Sequence, residues 1–203
     1  MIGAALRPVV GRIADPLVNR LLAWGVTPNA VTATGTVGVT AAALVFFPRG
    51  SFLVGTLVIT LFVLTDTIDG ALARKREVTS AFGGWLDSTC DRVADGAVFV
   101  ALAWWFSNGG QDRLLAAVSL FCLVSGAVVS YEKARAEGLG MRCDVGLAER
   151  AERLVLALAG TALVGLGAPD VVLTVALWVL AAATAFTVAQ RALEVRRQAA
   201  LVP

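Results

Sequence analysis

Asp66 and Asp69 close one long apolar run of this chain, and Asp87 and Asp91 open the next. A carboxylate at membrane depth is costly and marks a functional site by default. Four of them at these spacings point to a bound divalent cation. On a helix Asp66 and Asp69 are i,i+3 neighbours and Asp87 and Asp91 are i,i+4 neighbours, so each pair shares a face.

Small residues accompany both pairs: Gly70 and Ala73 beside the first, Gly83 and Gly84 before the second. They let two helices, or a helix and a ligand, approach closely. All-oxygen ligation selects hard cations, Mg²⁺ or Mn²⁺. Carboxylates around one or two such ions suit phosphoryl or phosphodiester chemistry, in which metal neutralises charge developing on the leaving group. Arg74, eight residues past Asp66, is suited to bidentate pairing with a phosphate. A carboxylate less committed to metal would serve as base toward an attacking hydroxyl. The plainer alternative is a set of buried pairs with Arg74 or Arg92, or a cation path.

The elements that position these residues follow from composition. Of 203 residues 58% are hydrophobic and 16% charged, against about 45–50% and about 25% in a soluble domain; mean hydropathy is +0.78. The expected fold is an all-α integral membrane protein, one domain over 1–203. Six apolar segments near 29–48, 52–75, 84–107, 113–134, 151–168 and 170–192 are each expected to be long enough to cross about 30 Å of hydrocarbon, which takes about 20 residues. Together they predict a six-helix bundle over 29–192. Over 1–26, Val10, Ile13, Leu17 and Leu21 recur at helical spacing opposite Arg12, Asp15 and Asn19, which predicts an amphipathic interfacial helix. Arg7, Arg12, Asp15 and Arg20 interrupt any signal-peptide core.

With six spans, all Lys and Arg except Arg49 and Arg113 fall on one side. That bias places both termini and the aspartates on the cytoplasmic face of the plasma membrane. The chain has no histidine, and its three cysteines, Cys90, Cys122 and Cys143, lack CxxC spacing. Zinc and disulfide frameworks are therefore not expected, and nothing points to nucleic acid.

The string from Asp66 to Asp91 resembles the motif of the CDP-alcohol phosphotransferase family, D-x2-D-G-x2-A-R-x8-9-G-x3-D-x3-D. Asp66, Asp69, Gly70, Ala73, Arg74, Gly83, Asp87 and Asp91 occupy every fixed position. The resemblance implies a six-helix membrane enzyme, usually a homodimer, that moves a phosphoalcohol group from a CDP-linked donor to an acceptor hydroxyl and releases CMP. It implies two Mg²⁺ (or Mn²⁺) on Asp66, Asp69, Asp87 and Asp91, with Asp91 also the general base. It further implies that Gly70, Arg74 and Ser80 contact the CDP-diacylglycerol diphosphate. The Thr27-Pro28-Asn29-Ala30-Val31-Thr32 stretch reads as a capped helix start, and the family adds Asn29 and Thr32 near the CDP moiety.

Lys133, Arg135, Arg150, Arg153 and Arg191 are expected to form a basic cup for an anionic acceptor, with Lys133, Arg135, Arg153 and Arg191 as phosphate contacts. Ordinary positive-inside charge is the alternative. The Lys133-Ala-Arg135-Ala-Glu137-Gly138 and Glu149-Arg150-Ala-Glu152-Arg153 strings resemble actinobacterial family members that join CDP-diacylglycerol to inositol phosphate. Glycerol 3-phosphate, giving phosphatidylglycerophosphate, is the second acceptor reading. A small cation channel or transporter is the reading from outside enzymes, although carboxylates gathered at one end trace no path across.

Overall fold

The computed structural model describes residues 15–16, 18–75 and 80–200; the side chains of Asp66 and Thr67 lie outside that description. Among the described residues every regular element is helical. After a helical segment at 18–23 come α1 (Pro28–Phe46), a 3₁₀ turn (Phe47–Arg49), α2 (Phe52–Val63), α3 (Thr65–Lys75), α4 (Ala81–Asn108), α5 (Arg113–Gly138), α6 (Arg150–Gly165) and α7 (Val171–Ala199). Most of the expected interfacial helix at 1–26 falls outside the described residues.

Local chemistry sets the helix starts. Thr27 Oγ1 accepts from Ala30 N at 3.3 Å and Pro28 occupies the first turn of α1. Ser80 Oγ accepts from Gly83 N at 2.9 Å to open α4, and Asp112 Oδ1 accepts from Leu115 N at 2.9 Å to open α5. Each satisfies a backbone N–H that the helix itself cannot.

Among the described residues four stretches are long and apolar enough to cross a membrane: Pro28–Arg49, Phe52–Lys75, Arg113–Gly138 and Val171–Ala199. The chain is an integral membrane protein. α4 is also long, at 28 residues, but its first four turns or so carry Asp87, Asp91, Arg92 and Asp95. α6 has 16 residues, about 24 Å of helix, short of the hydrocarbon thickness. The segment expected as one helix over 52–75 is divided by a turn at Leu64. There the Thr65 hydroxyl donates to the Phe62 carbonyl at 2.5 Å, while Leu64 keeps right-handed helical dihedrals.

α1 packs on α2, α3 and α4; α5 on α4 and α7; α6 on α2 and α7. Close approaches need glycine: a Cβ on Gly38 would lie 2.3 Å from the Phe62 ring, and one on Gly165 would lie 2.4 Å from the Leu53 backbone nitrogen. Between the helices runs a core that includes Val39, Phe47, Ile59, Phe99, Leu102, Leu158 and Leu177. Leu57, Leu61, Trp104, Phe121, Val155 and Trp178 point outward, as lipid requires. Buried hydroxyl pairs tie helices together, Thr56 with Thr161 at 2.7 Å and Ser125 with Thr184 at 2.9 Å.

The two ends of the bundle differ in charge. At one end the turns around Gly50 and Gly109 close on Trp105. At the other, Lys75 Nζ meets Asp15 at 2.6 Å and Asn19 at 2.9 Å, joining the N-terminal segment to the end of α3. At that end Gln198 also exchanges two hydrogen bonds with the Arg142 backbone. The charged connections thus gather where α3 ends and α4 begins.

Candidate active site

A cavity of about 440 Å³ opens at this charged end, where the starts of α1 and α4 meet α3. Asp69 and Asp87 line it, together with Asn29, Thr32, Gly70 and Ser80. Asp69 is 7% exposed, and Thr32 donates its hydroxyl to Asp69 Oδ2 at 2.5 Å. That bond fixes one carboxylate oxygen against α1. Asp87, one face of α4 away, is exposed.

Glycines shape the wall. A Cβ on Gly83 would sit 3.1 Å from Ser80 Oγ and 3.4 Å from Asn29 Oδ1, and one on Gly70 would sit 3.3 Å from Arg74 Nη1. The guanidinium of Arg74 therefore lies over Gly70 beside the cavity, although Arg74 is itself exposed. Gly70→Ala is expected to displace this guanidinium by a few tenths of an ångström. A several-fold rise in donor KM at nearly constant kcat is the outcome to check by steady-state kinetics.

Asp91 stands one turn beyond Asp87, in a cluster of arginines. Arg150 Nη1 meets Asp91 Oδ1 at 2.8 Å, and Arg92 Nη2 lies 3.6 Å from Asp91 Oδ2. A further turn on, Asp95 takes Arg150 Nε on Oδ1 at 3.3 Å and Arg153 Nη2 on Oδ2 at 2.9 Å. Arg153 is 2% exposed and also donates to the Ala148 carbonyl at 3.1 Å. Asp95 is the partner that the motif omits; its signal in the sequence is its place on the Asp87–Asp91 stripe, one turn further along.

The four expected acceptor contacts lie outside the cavity wall. Lys133 Nζ pairs with Asp144 at 2.9 Å, which holds the Asp144 carboxyl below the usual range. Arg135 is exposed. Arg191 is buried, donating to the carbonyls of Val145 (2.8 Å) and Val129 and reaching Glu149 at 3.4 Å. It pins the 139–149 connection to α5 and α7.

Among the described residues no three acidic or cysteine side chains converge as a finished metal cage. The helix of Asp66 is described but its side chain is not. What the structure supplies is oxygen donors from two helices on one cavity, a donor set that fits a hard divalent cation.

An all-helical membrane bundle with paired carboxylates at one polar end defines a class, and the chain belongs to it. It is a member of the CDP-alcohol phosphatidyltransferase family, whose model matches residues 25–189. It is 49% identical over 206 residues to the phosphatidylinositol phosphate synthase of Streptomyces avermitilis, covering 98% of this chain and 84% of that one. To the phosphatidylinositol phosphate synthase of Mycobacterium tuberculosis it is 44% identical over 192 residues, covering 91% and 86%. The crystal structure of that mycobacterial enzyme with CDP-DAG bound superposes with a TM-score of 0.88, over 91% of this chain and 94% of the other. The same enzyme in complex with manganese and citrate gives 0.86, over 89% and 87%.

Proposed function

We propose that this chain, as one domain over 1–203, transfers the phosphatidyl group of CDP-diacylglycerol to a hydroxyl of inositol phosphate, giving phosphatidylinositol phosphate and CMP. The observation that carries this reading is the cavity in which Asp69 and Asp87 face a wall of glycines at the charged end of a membrane bundle. The relatives' shared activity supports the acceptor. Six spans, an interfacial helix over 1–26 and a homodimer belong to the same reading. So does a plasma-membrane orientation with the site and both termini cytoplasmic, which the segregation of Lys and Arg favours.

Asp66, Asp69, Asp87 and Asp91 would hold two Mg²⁺, or Mn²⁺, which when bound neutralise charge on the diphosphate. Asn29, Thr32, Gly70, Arg74 and Ser80 hold the CDP end of the donor, with the Arg74 guanidinium placed for a phosphate oxygen. Lys133, Arg135, Arg153 and Arg191 supply the positive field for the acceptor. Lys133 and Arg135 are the members that a soluble anion reaches without unpacking the bundle. Asp91 accepts the proton of the attacking hydroxyl. That oxygen bonds to the lipid-side phosphorus as the bond to the CMP phosphate breaks, and CMP leaves. No serine or cysteine with an adjacent base offers a covalent route among the described residues.

The test is an acceptor panel with radiolabelled CDP-diacylglycerol and purified protein in Mg²⁺. Inositol phosphate is expected to drive CMP release at least about tenfold better than free inositol, since a phosphate lost from a basic site costs 1–3 kcal/mol or more. Preferred turnover of glycerol 3-phosphate would reassign the acceptor. No CMP release with any acceptor would overturn the enzyme reading.

A further inference from the structure

A second, much smaller cavity, of about 20 Å³, lies where α4, α5 and α6 meet. Arg92 and Asp95 line it from α4, Cys122 and Gly126 from α5, and Arg153 from α6. Two donors on its wall face no protein acceptor: the buried Nε–H groups of Arg92 and Arg153 have no hydrogen-bond partner among the described residues. The remaining nitrogens of both side chains are engaged. Arg92 Nη1 donates to the Ser130 hydroxyl and Nη2 faces Asp91 at 3.6 Å. Arg153 Nη1 donates to the Ala148 carbonyl at 3.1 Å and Nη2 to Asp95 at 2.9 Å. Neither guanidinium can turn towards a new partner without losing one it has. A buried charged donor left unpaired is costly, so such groups are normally satisfied by protein or by ordered water. The missing side chain of Gly126 opens the space, since a Cβ there would lie 2.9 Å from Arg153 Nε.

We propose that this cavity is the site of one structural water molecule, which accepts from both Nε–H groups and donates towards the Asp95 carboxylate. The volume suits a single water, and the wall offers the two to four polar partners that a buried water needs. The same wall selects against ions. A metal cation would meet two guanidinium groups, and an anion would meet Asp95. Water both accepts and donates, so it suits cationic donors and a carboxylate at once. Each Asp95 oxygen already takes one arginine, yet a carboxylate has lone pairs for further donors. The water thereby couples Arg92 of α4 to Arg153 of α6 across the glycine of α5. It also completes the set of partners that holds the Arg92 guanidinium in place behind Asp91.

A crystallographic map of the full chain, fine enough to show ordered water, tests the site directly. One peak is expected within about 2.7–3.2 Å of both Nε atoms, with no anomalous signal there from crystals grown in bromide. A bromide signal would mean an anion site, and no peak would mean a dry cavity; either result overturns the proposal. Gly126→Ala and Gly126→Ser test it in solution. Both place a Cβ that crowds Arg153 Nε and displaces the water, but only serine brings an oxygen to take over its hydrogen bonds. The thermal midpoint is expected to fall by about 4–10 °C in the alanine protein, the scale of an unpaired buried donor, and by less than about half as much in the serine protein. Helix propensity alone ranks alanine above serine, so the expected order runs against it. An alanine protein as stable as the serine protein, or more so, would overturn the proposal. Should neither variant fold, the wild-type map decides.

Discussion

Asp91→Asn is expected to lower CMP release by about 10²–10⁴-fold, the range for removing a positioned general base. Because Asp91 would also hold one of the two ions on the donor diphosphate, donor KM and the Mg²⁺ requirement are expected to rise alongside the loss of kcat. The substitution also removes the charge that Arg150 meets at 2.8 Å, so fold integrity must be followed beside kinetics. A radiolabel assay of CMP release at saturating donor separates the two effects. Retention of more than a tenth of the wild-type kcat in a folded variant would remove Asp91 from the chemistry.

The second large effect concerns stability. Arg153→Ala strips Asp95 of its 2.9 Å partner and leaves a buried carboxylate short of charge compensation. Breaking a buried pair from one side costs about 3–5 kcal/mol. With about 2–4 °C per kcal/mol for a chain of this size, the midpoint should fall by about 6–20 °C. Cys122 and Cys143 are buried free thiols, and burial pushes the Cys143 thiol up in pKa. A thiol-reactive fluorophore therefore reports their exposure on unfolding. Lys133→Ala is the contrast: its pair with Asp144 is at the surface, where solvent screening leaves little stability to lose. A midpoint for Arg153→Ala within 2 °C of the wild type would mean that the Arg153–Asp95 pair is dispensable.

What the sequence made legible was what is encoded locally. The cap at Thr27 is a side chain bonding to backbone three residues on, and it can be read from its own neighbourhood; those at Ser80 and Asp112 went unread. The spacing of Asp69, Gly70, Gly83 and Asp87 likewise carries its own geometry, and these residues do share a cavity. The turn at Leu64 was not legible. Leu64 keeps right-handed helical dihedrals there, and the apolar run reads as continuous across it.

Arginines were harder still. A guanidinium facing a headgroup, one facing a substrate and one facing a buried carbonyl look alike in a string of letters. Arg191, spread over Val129, Val145 and Glu149, differs from Arg135 only through residues more than 40 positions away. Asp95 was hidden for the same reason, since its partners arrive from α6.

The passage through Leu64 has a mechanical side. Bilayers vary in thickness, and a spanning helix answers by tilting or bending. The backbone stays right-handed helical at Leu64, whose N–H still reaches the Thr60 carbonyl at 3.1 Å, so tilting of the lipid-facing rod is carried on towards Asp69. The enzyme's output is therefore expected to vary among vesicles of differing acyl length.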